Sequence, residues 1–159
     1  MSFSSVADNF STKLLHVRDE KNGVNGGTFT AGSFTARTLN TTLTNEISGA
    51  SLASNQITLP AGTYFLSAYA TAWRVQNNKL ILKNITDSST TLIGSSEFCE
   101  TTVNNQFKAV IDGRFTIGAS KTFELQHRCD STYASEGYGT ANGFGINEVY
   151  TDLRIWKVA

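Results

Sequence analysis

Charge is scarce in this chain. Only 16% of its 159 residues are Asp, Glu, Lys or Arg, and 13 acidic side chains balance 13 basic ones. Binding to a phosphate backbone needs a concentrated basic face, so this balance excludes nucleic acid as the main partner. Long apolar runs are missing too. No stretch approaches the roughly 20 residues of a membrane-spanning helix, and the opening MSFSSVADNFSTK has neither the basic start nor the apolar run of a secretory signal. The expectation is a soluble protein made in a cytoplasm, with no membrane partner. Cysteine is limited to Cys99 and Cys129, with no CxxC spacing. The pair fits either buried free thiols or a cross-strand disulfide, and sets no redox compartment.

Catalytic signatures are equally thin. There is no GxSxG, HExxH, phosphate-binding P-loop or metal-spaced Cys/His cluster. The run Gly137-Tyr138-Gly139-Thr140-Ala141-Asn142-Gly143 imitates a glycine-rich phosphate loop but lacks the lysine and the following helix. His16 and His127 each stand alone within a strand pattern, as a histidine satisfied by a hydrogen bond in a core or interface would. Asp19-Glu20 is placed in a turn, with no second carboxylate set for acid-base work. The reading is a non-enzymatic protein with no cofactor and no metal.

What the sequence does contain is strands. A chain of this length forms one domain with a core of its own. The organising stretch is Asn55 to Val75, NQITLPAGTYFLSAYATAWRV: a short alternating strand, a break at Pro60-Ala61-Gly62, then about a dozen residues of aromatic, small and β-branched character. One face of the long strand carries Tyr64, Leu66, Ala68, Ala70 and Ala72, and the other Phe65, Tyr69, Trp73 and Val75, with Ser67 and Thr71 between. A strand with one face in water alternates apolar with polar, so two non-polar faces require cover on both sides. A single small core supplies one cover. Another copy of the chain supplies the second most simply, which predicts a symmetric oligomer.

Elsewhere, Leu14 to Arg18 reads as a short strand closed by a turn over Asp19 to Gly27, and Thr28 to Asn45 as one or two short strands. Lys79 to Ile85 and Thr90 to Gly94 are strands around a turn at Asp87-Ser88-Ser89. Phe107 to Ile117 and Thr122 to Asp130 alternate cleanly, the first with Phe107, Ala109, Ile111, Gly113, Phe115 and Ile117 inward. Asp130 to Asn147 is a long glycine-rich loop. Val149 to Val158 closes the chain, with Val149, Leu153 and Ile155 on one face and Tyr150, Asp152, Arg154 and Trp156 on the other. No segment has a helical period. The pattern predicts an all-β, antiparallel two-sheet jelly-roll sandwich over residues 14–159, preceded by a polar arm over residues 1–13.

The run into LPAGTYF, the later GRFTI and FELQH strands, and the closing aromatic strand resemble the jelly roll of tumour-necrosis-factor-like proteins and complement globular heads. LHVRDEKNG, LNTTLTNEISGASLASNQITLPAGTYF and VYTDLRIWKV resemble a group of bacteriophage virion structural and tail-fibre proteins that carry this module. The resemblance implies a homotrimer in which strands of one sheet from three chains meet at an axis. Carried over by strand, the axis-facing residues are Phe65, Ser67, Tyr69 and Trp73, then Val110, Asp112 and Arg114, then Tyr150, Asp152, Arg154 and Trp156. An unpaired charge in such an interface costs several kcal/mol, so salt bridges of Asp112 with Arg114 and of Asp152 with Arg154 are expected, within or between chains.

Two functions follow from the resemblance. The first is a capsid decoration, or cement, protein: trimers on the phage head, held to the major capsid protein or another virion protein by the N-terminal arm. This reading is preferred because no collagen-like, heptad or β-helical shaft precedes the module. The second is a tail-fibre or receptor-binding tip that contacts host surface glycans through loop residues such as Tyr133, Tyr138, Asn142 and Phe144. Either places the protein in a virion assembled in the bacterial host cytoplasm.

Overall fold

Eleven strands build two antiparallel sheets in a computed structural model that describes residues 12–159. The expected arm lies outside the described residues except for its last two positions. In chain order the strands are β1 (Lys13–Asn22), β2 (Thr35–Ala36), β3 (Thr41–Asn45), β4 (Ser51–Ala53), β5 (Gln56–Leu59), β6 (Gly62–Trp73), β7 (Gln76–Asn84), β8 (Ser89–Cys99), β9 (Gln106–Ile117), β10 (Lys121–Cys129) and β11 (Asn147–Lys157). The first sheet has the order β3-β1-β11-β6-β9 and the second β4-β5-β10-β7-β8, with β2 paired to β10. No helix occurs among the described residues.

Strand periodicity assigns the core. On β6, Tyr64, Leu66, Ala68, Ala70 and Ala72 are buried, joined by Leu15 and Val17, Leu153 and Ile155, and Ala109, Ile111 and Phe115 from the flanking strands. The second sheet answers with Ile57, Leu59, Leu80, Leu82, Phe123 and Leu125. Phe115 bridges the layers, 5.6 Å from the Tyr64 ring and 5.4 Å from Phe123 between centroids. Each Leu, Ile, Val or Phe among them contributes about 1.5–3 kcal/mol when fully buried. The Pro60 corner is held by Tyr64 Oη, which donates to the Pro60 carbonyl at 2.7 Å. Gly62 is needed there because a Cβ would lie 2.9 Å from the Ala159 carbonyl oxygen.

Several expectations are corrected. The turn expected from Asp19 starts only at Gly23, and Asp19 and Glu20 belong to β1. Asp19 is tolerated in a buried position because Lys21 Nζ donates to both of its carboxylate oxygens, at 2.7 and 2.6 Å, and Asn40 Nδ2 to one. Val75 does not share a face with Phe65 and Tyr69. Left-handed backbone at Arg74 and Gln76 swings it into a second cluster with Phe29, Ala72, Cys99 and Cys129. Phe107 is exposed rather than inward, because the β6–β9 ladder ends one pair further on, at Trp73 and Gln106.

The loop after β10 closes one end of the sandwich. Phe29 and Tyr133 exchange backbone hydrogen bonds at 3.1 Å, Tyr138 N donates to Gly27 O, and Trp73 N donates to Gly137 O. Cys99 and Cys129 lie on the strands flanking β7, opposite Gln76 and Asn78. Two strand spacings separate them by about 9.5 Å, beyond the roughly 7 Å that a disulfide spans. Both are free buried thiols.

Candidate functional site

The face of the first sheet that points away from the sandwich is the site. Register puts Phe65 opposite Trp156 and Arg114, Ser67 opposite Arg154 and Asp112, and Tyr69 opposite Asp152 and Val110. β1 extends the face, with Leu14 opposite Trp156, His16 opposite Arg154 and Arg18 opposite Asp152. Ten of the eleven residues expected at an axis therefore lie on the strand positions of one continuous face. Its apolar members are left open: Phe65 is 40% and Val110 42% exposed, with Tyr69 and Trp156 half-buried between them. The Phe65 and Trp156 rings are tilted at 6.1 Å, and Lys108 Nζ stands 4.2 Å over the Tyr69 ring.

Asp152 is the electrostatic centre. It is only 1% exposed although it belongs to the outer face, because the side chains of His16, Arg18 and Arg154 roof it. His16 Nε2 lies 2.9 Å from Oδ2, Arg18 Nε donates to the same oxygen, and Arg154 Nη2 is 3.1 Å from Oδ1. Burial alone would raise this carboxyl, but the hydrogen bonds of His16 and Arg18 and the nearby positive charge overcome it and hold the group below its ordinary value. The same hydrogen bond raises the Arg18 guanidinium. Arg154 sits within ion-pair distance but off the hydrogen-bond direction, so Oδ1 has no hydrogen-bond partner among the described residues. Arg18 continues to Glu20, which also accepts from Asn147 Nδ2 at 3.2 Å.

The expected Asp152–Arg154 pair is therefore formed, as one member of a larger cluster. Asp112 and Arg114 make no ion pair with each other among the described residues, and both are exposed. Trp73 keeps its strand position but is half-buried, its indole Nε1 buried without a partner among the described residues and the Arg74 guanidinium 5.8 Å from its ring.

Tyr150 is the correction. A bulge at Asp19/Glu20 pairs these residues with Thr151 and Val149, which leaves Tyr150 as the extra residue and ends the alternation. Its ring is 1% exposed, packed by its own chain, with Oη donating to Val24 O at 2.8 Å. A Cβ on Gly139, whose φ is +134°, would lie 2.6 Å from that ring, so the loop covers it closely. Burial first, then Glu148 and Asp19, push the Tyr150 hydroxyl up to about 12.

The four loop residues separate. Tyr138 packs inward against Phe29, 4.6 Å between centroids, and under Arg37. Tyr133 is half-buried and accepts from Arg74 Nη1 through its hydroxyl at 3.0 Å. Asn142 and Phe144 are exposed, Phe144 by 79%, on a tip whose Asn142 and Gly143 amides donate to Glu148 Oε1. The sequence reading missed Arg18 and Lys108. The alternation of Leu14, His16 and Arg18 carries the signal, but only the β1–β11 register connects it to Asp152.

No family model and no curated protein sequence matches this chain. Solved structures do. Murine APRIL at pH 5.0 superposes with a TM-score of 0.58 at 10% identity, over 92% of this chain and 98% of that one. The globular domain of zebrafish complement 1qA gives a TM-score of 0.54 at 12% identity, over 93% and 96%. At such identities the likeness speaks for the fold alone, a tumour-necrosis-factor-like jelly roll.

Proposed function

We propose, taking that jelly roll as the premise, that the chain is a non-enzymatic structural protein of a bacteriophage virion, a homotrimer that decorates the head surface. The observation that carries self-association is the open stripe of Phe65, Tyr69, Val110 and Trp156 around the roofed Asp152. Contiguous exposed apolar surface marks an interaction site, and closed rotational symmetry covers it on every copy. Tyr and Trp are suited to the centre of such an interface. Asp112 and Arg114, without an ion pair of their own among the described residues, reach across to a sister copy.

The virion assignment is supported by the sequence segments that resemble phage structural proteins, and the arm over residues 1–13 serves as the anchor to the major capsid protein. Two measurements test the reading. Sedimentation of the purified chain should give a trimer, and a stable monomer would refute the assembly. Quantitative mass spectrometry of particles should give a high copy number on heads, and deletion of residues 1–12 should abolish head attachment while the free trimer survives. A low copy number with loss of adsorption would instead favour a tail-fibre tip contacting host surface glycans. That second reading draws on the exposed Phe144 at a loop tip.

A further inference from the structure

The second sheet carries a groove on its own outer face, turned away from the stripe of Phe65 and Val110. β7, β8 and β10 form the floor, and Phe34, just before β2, forms a wall. One depression of about 350 Å³ is lined by Phe34, Asn77, Lys79, Glu97, Arg128 and Asp130, among others. It runs into a second of about 510 Å³ that shares Phe34 and Lys79 and continues over Ile81, Ile93 and Lys83. From Asn77 to Lys83 the floor is about 20 Å long.

Three features of this groove call for a ligand. Lys79 and Arg128 are directly opposed across the β7–β10 ladder, and like charges in that relation destabilise a sheet. Neither has an ion pair among the described residues, although Glu97 and Asp130 line the same depression; Asp130 is instead engaged by Asn77 Nδ2 at 2.9 Å. An anionic group between Lys79 and Arg128 would relieve the repulsion. Phe34 is half-buried and lines both depressions, so an apolar ring flanks a floor of guanidinium, ammonium and amide groups. That combination suits a ring with an apolar face and a hydroxyl rim. The groove also lies across strand faces rather than along a free edge, so it offers no backbone ladder to an extended peptide.

We propose that this groove binds an extended acidic oligosaccharide, with a carboxylate or sulfate held between Lys79 and Arg128 and a sugar ring against Phe34. The site forms within one chain, on the sheet opposite the oligomer face, and does not rest on the trimer or the virion assignment.

Calorimetry on the full chain at low salt tests it with four probes: hexagalacturonate for a carboxylate, sulfated maltohexaose for a sulfate, neutral maltohexaose, and hexaglutamate. At least one acidic sugar should bind, more tightly than maltohexaose and hexaglutamate, and its anion identifies the preferred group. Lys79→Gln and Arg128→Gln should each weaken it about tenfold, the scale of one charge-assisted hydrogen bond, and Phe34→Ala should weaken it as well. Lys79 is half-buried and Arg128 exposed, and each substitution relieves their mutual repulsion, so both charge variants should melt at or slightly above the parent temperature. Binding by neither acidic sugar would overturn the proposal. So would equal binding of maltohexaose, equal binding of hexaglutamate, or unchanged affinity in the two charge variants.

Discussion

The guanidinium of the fully buried Arg37 sits 4.0 Å from the centroid of the Tyr138 ring. Its Nε donates to Thr151 Oγ1, Nη2 to Tyr150 O at 3.0 Å, and Nη1 to Thr71 O, so one side chain from the second sheet's margin ties β6, β11 and the closing loop together. Burial pulls this arginine down to about 10, against the opposing pull of Tyr138 and Asp19, and it stays charged at neutral pH. Arg37→Lys keeps the charge but loses the planar fork. We expect a loss of about 3 kcal/mol, typical of a broken buried polar cluster, measured by urea unfolding.

Asp152→Asn removes the charge that Arg18, Arg154 and the His16 ring surround. The expected cost is about 3 kcal/mol at pH 7. The carboxyl is held below its ordinary value, so its contribution is complete above about pH 4 and disappears as the pH falls through the lower folded value. Urea titrations of parent and variant should therefore converge in strongly acidic buffer. A constant gap down to pH 2 would contradict the assignment.

His127 should make the fold acid-sensitive in a higher window. The ring is buried, its Nε2 is 3.0 Å from Asn78 Oδ1, and Nδ1 has no partner among the described residues. Burial and then Arg37 hold it well below its ordinary value, so the unfolded chain binds a proton that the folded chain refuses. Stability should fall below about pH 6.5 with a slope near ~1.4 kcal/mol per pH unit. His127→Gln should flatten that segment of the curve.

The thiols should be silent in the native state. Burial pushes Cys129 up to about 11 and raises Cys99 as well, and β7 stands between them. Iodoacetamide should label neither cysteine until denaturant is added, and then both, with no disulfide found by mass spectrometry after air oxidation of the folded protein.

The interface prediction separates assembly from folding. Phe65 and Val110 are exposed in the single chain, on neighbouring strands of one face. Phe65→Glu combined with Val110→Glu should leave the far-ultraviolet circular dichroism unchanged while shifting sedimentation from trimer to monomer. Persistence of the trimer would place the contact elsewhere.

The amino-acid sequence by itself determined the fold class and the inward face of most strands. In β9 and β10, and on the Tyr64 to Ala72 face of β6, side chains alternate with period two, and hydrophobic contrast marks which half is buried. The doubled apolar character of β6 also pointed to an outer face that its own sandwich does not cover, where Phe65 is exposed. Only the tertiary structure decided which charges meet. His16 and Asp152 are 136 residues apart, and their contact depends on the β1–β11 register, a property of two distant segments. The same register places the bulge that turns Tyr150 under its own loop, while two left-handed residues carry Val75 out of the β6 pattern. Local sequence encodes the period of a strand. Its partner, its offset and the points where the period breaks are settled by long-range packing, because only there do the competing burial and hydrogen-bonding demands of separate strands act on one another.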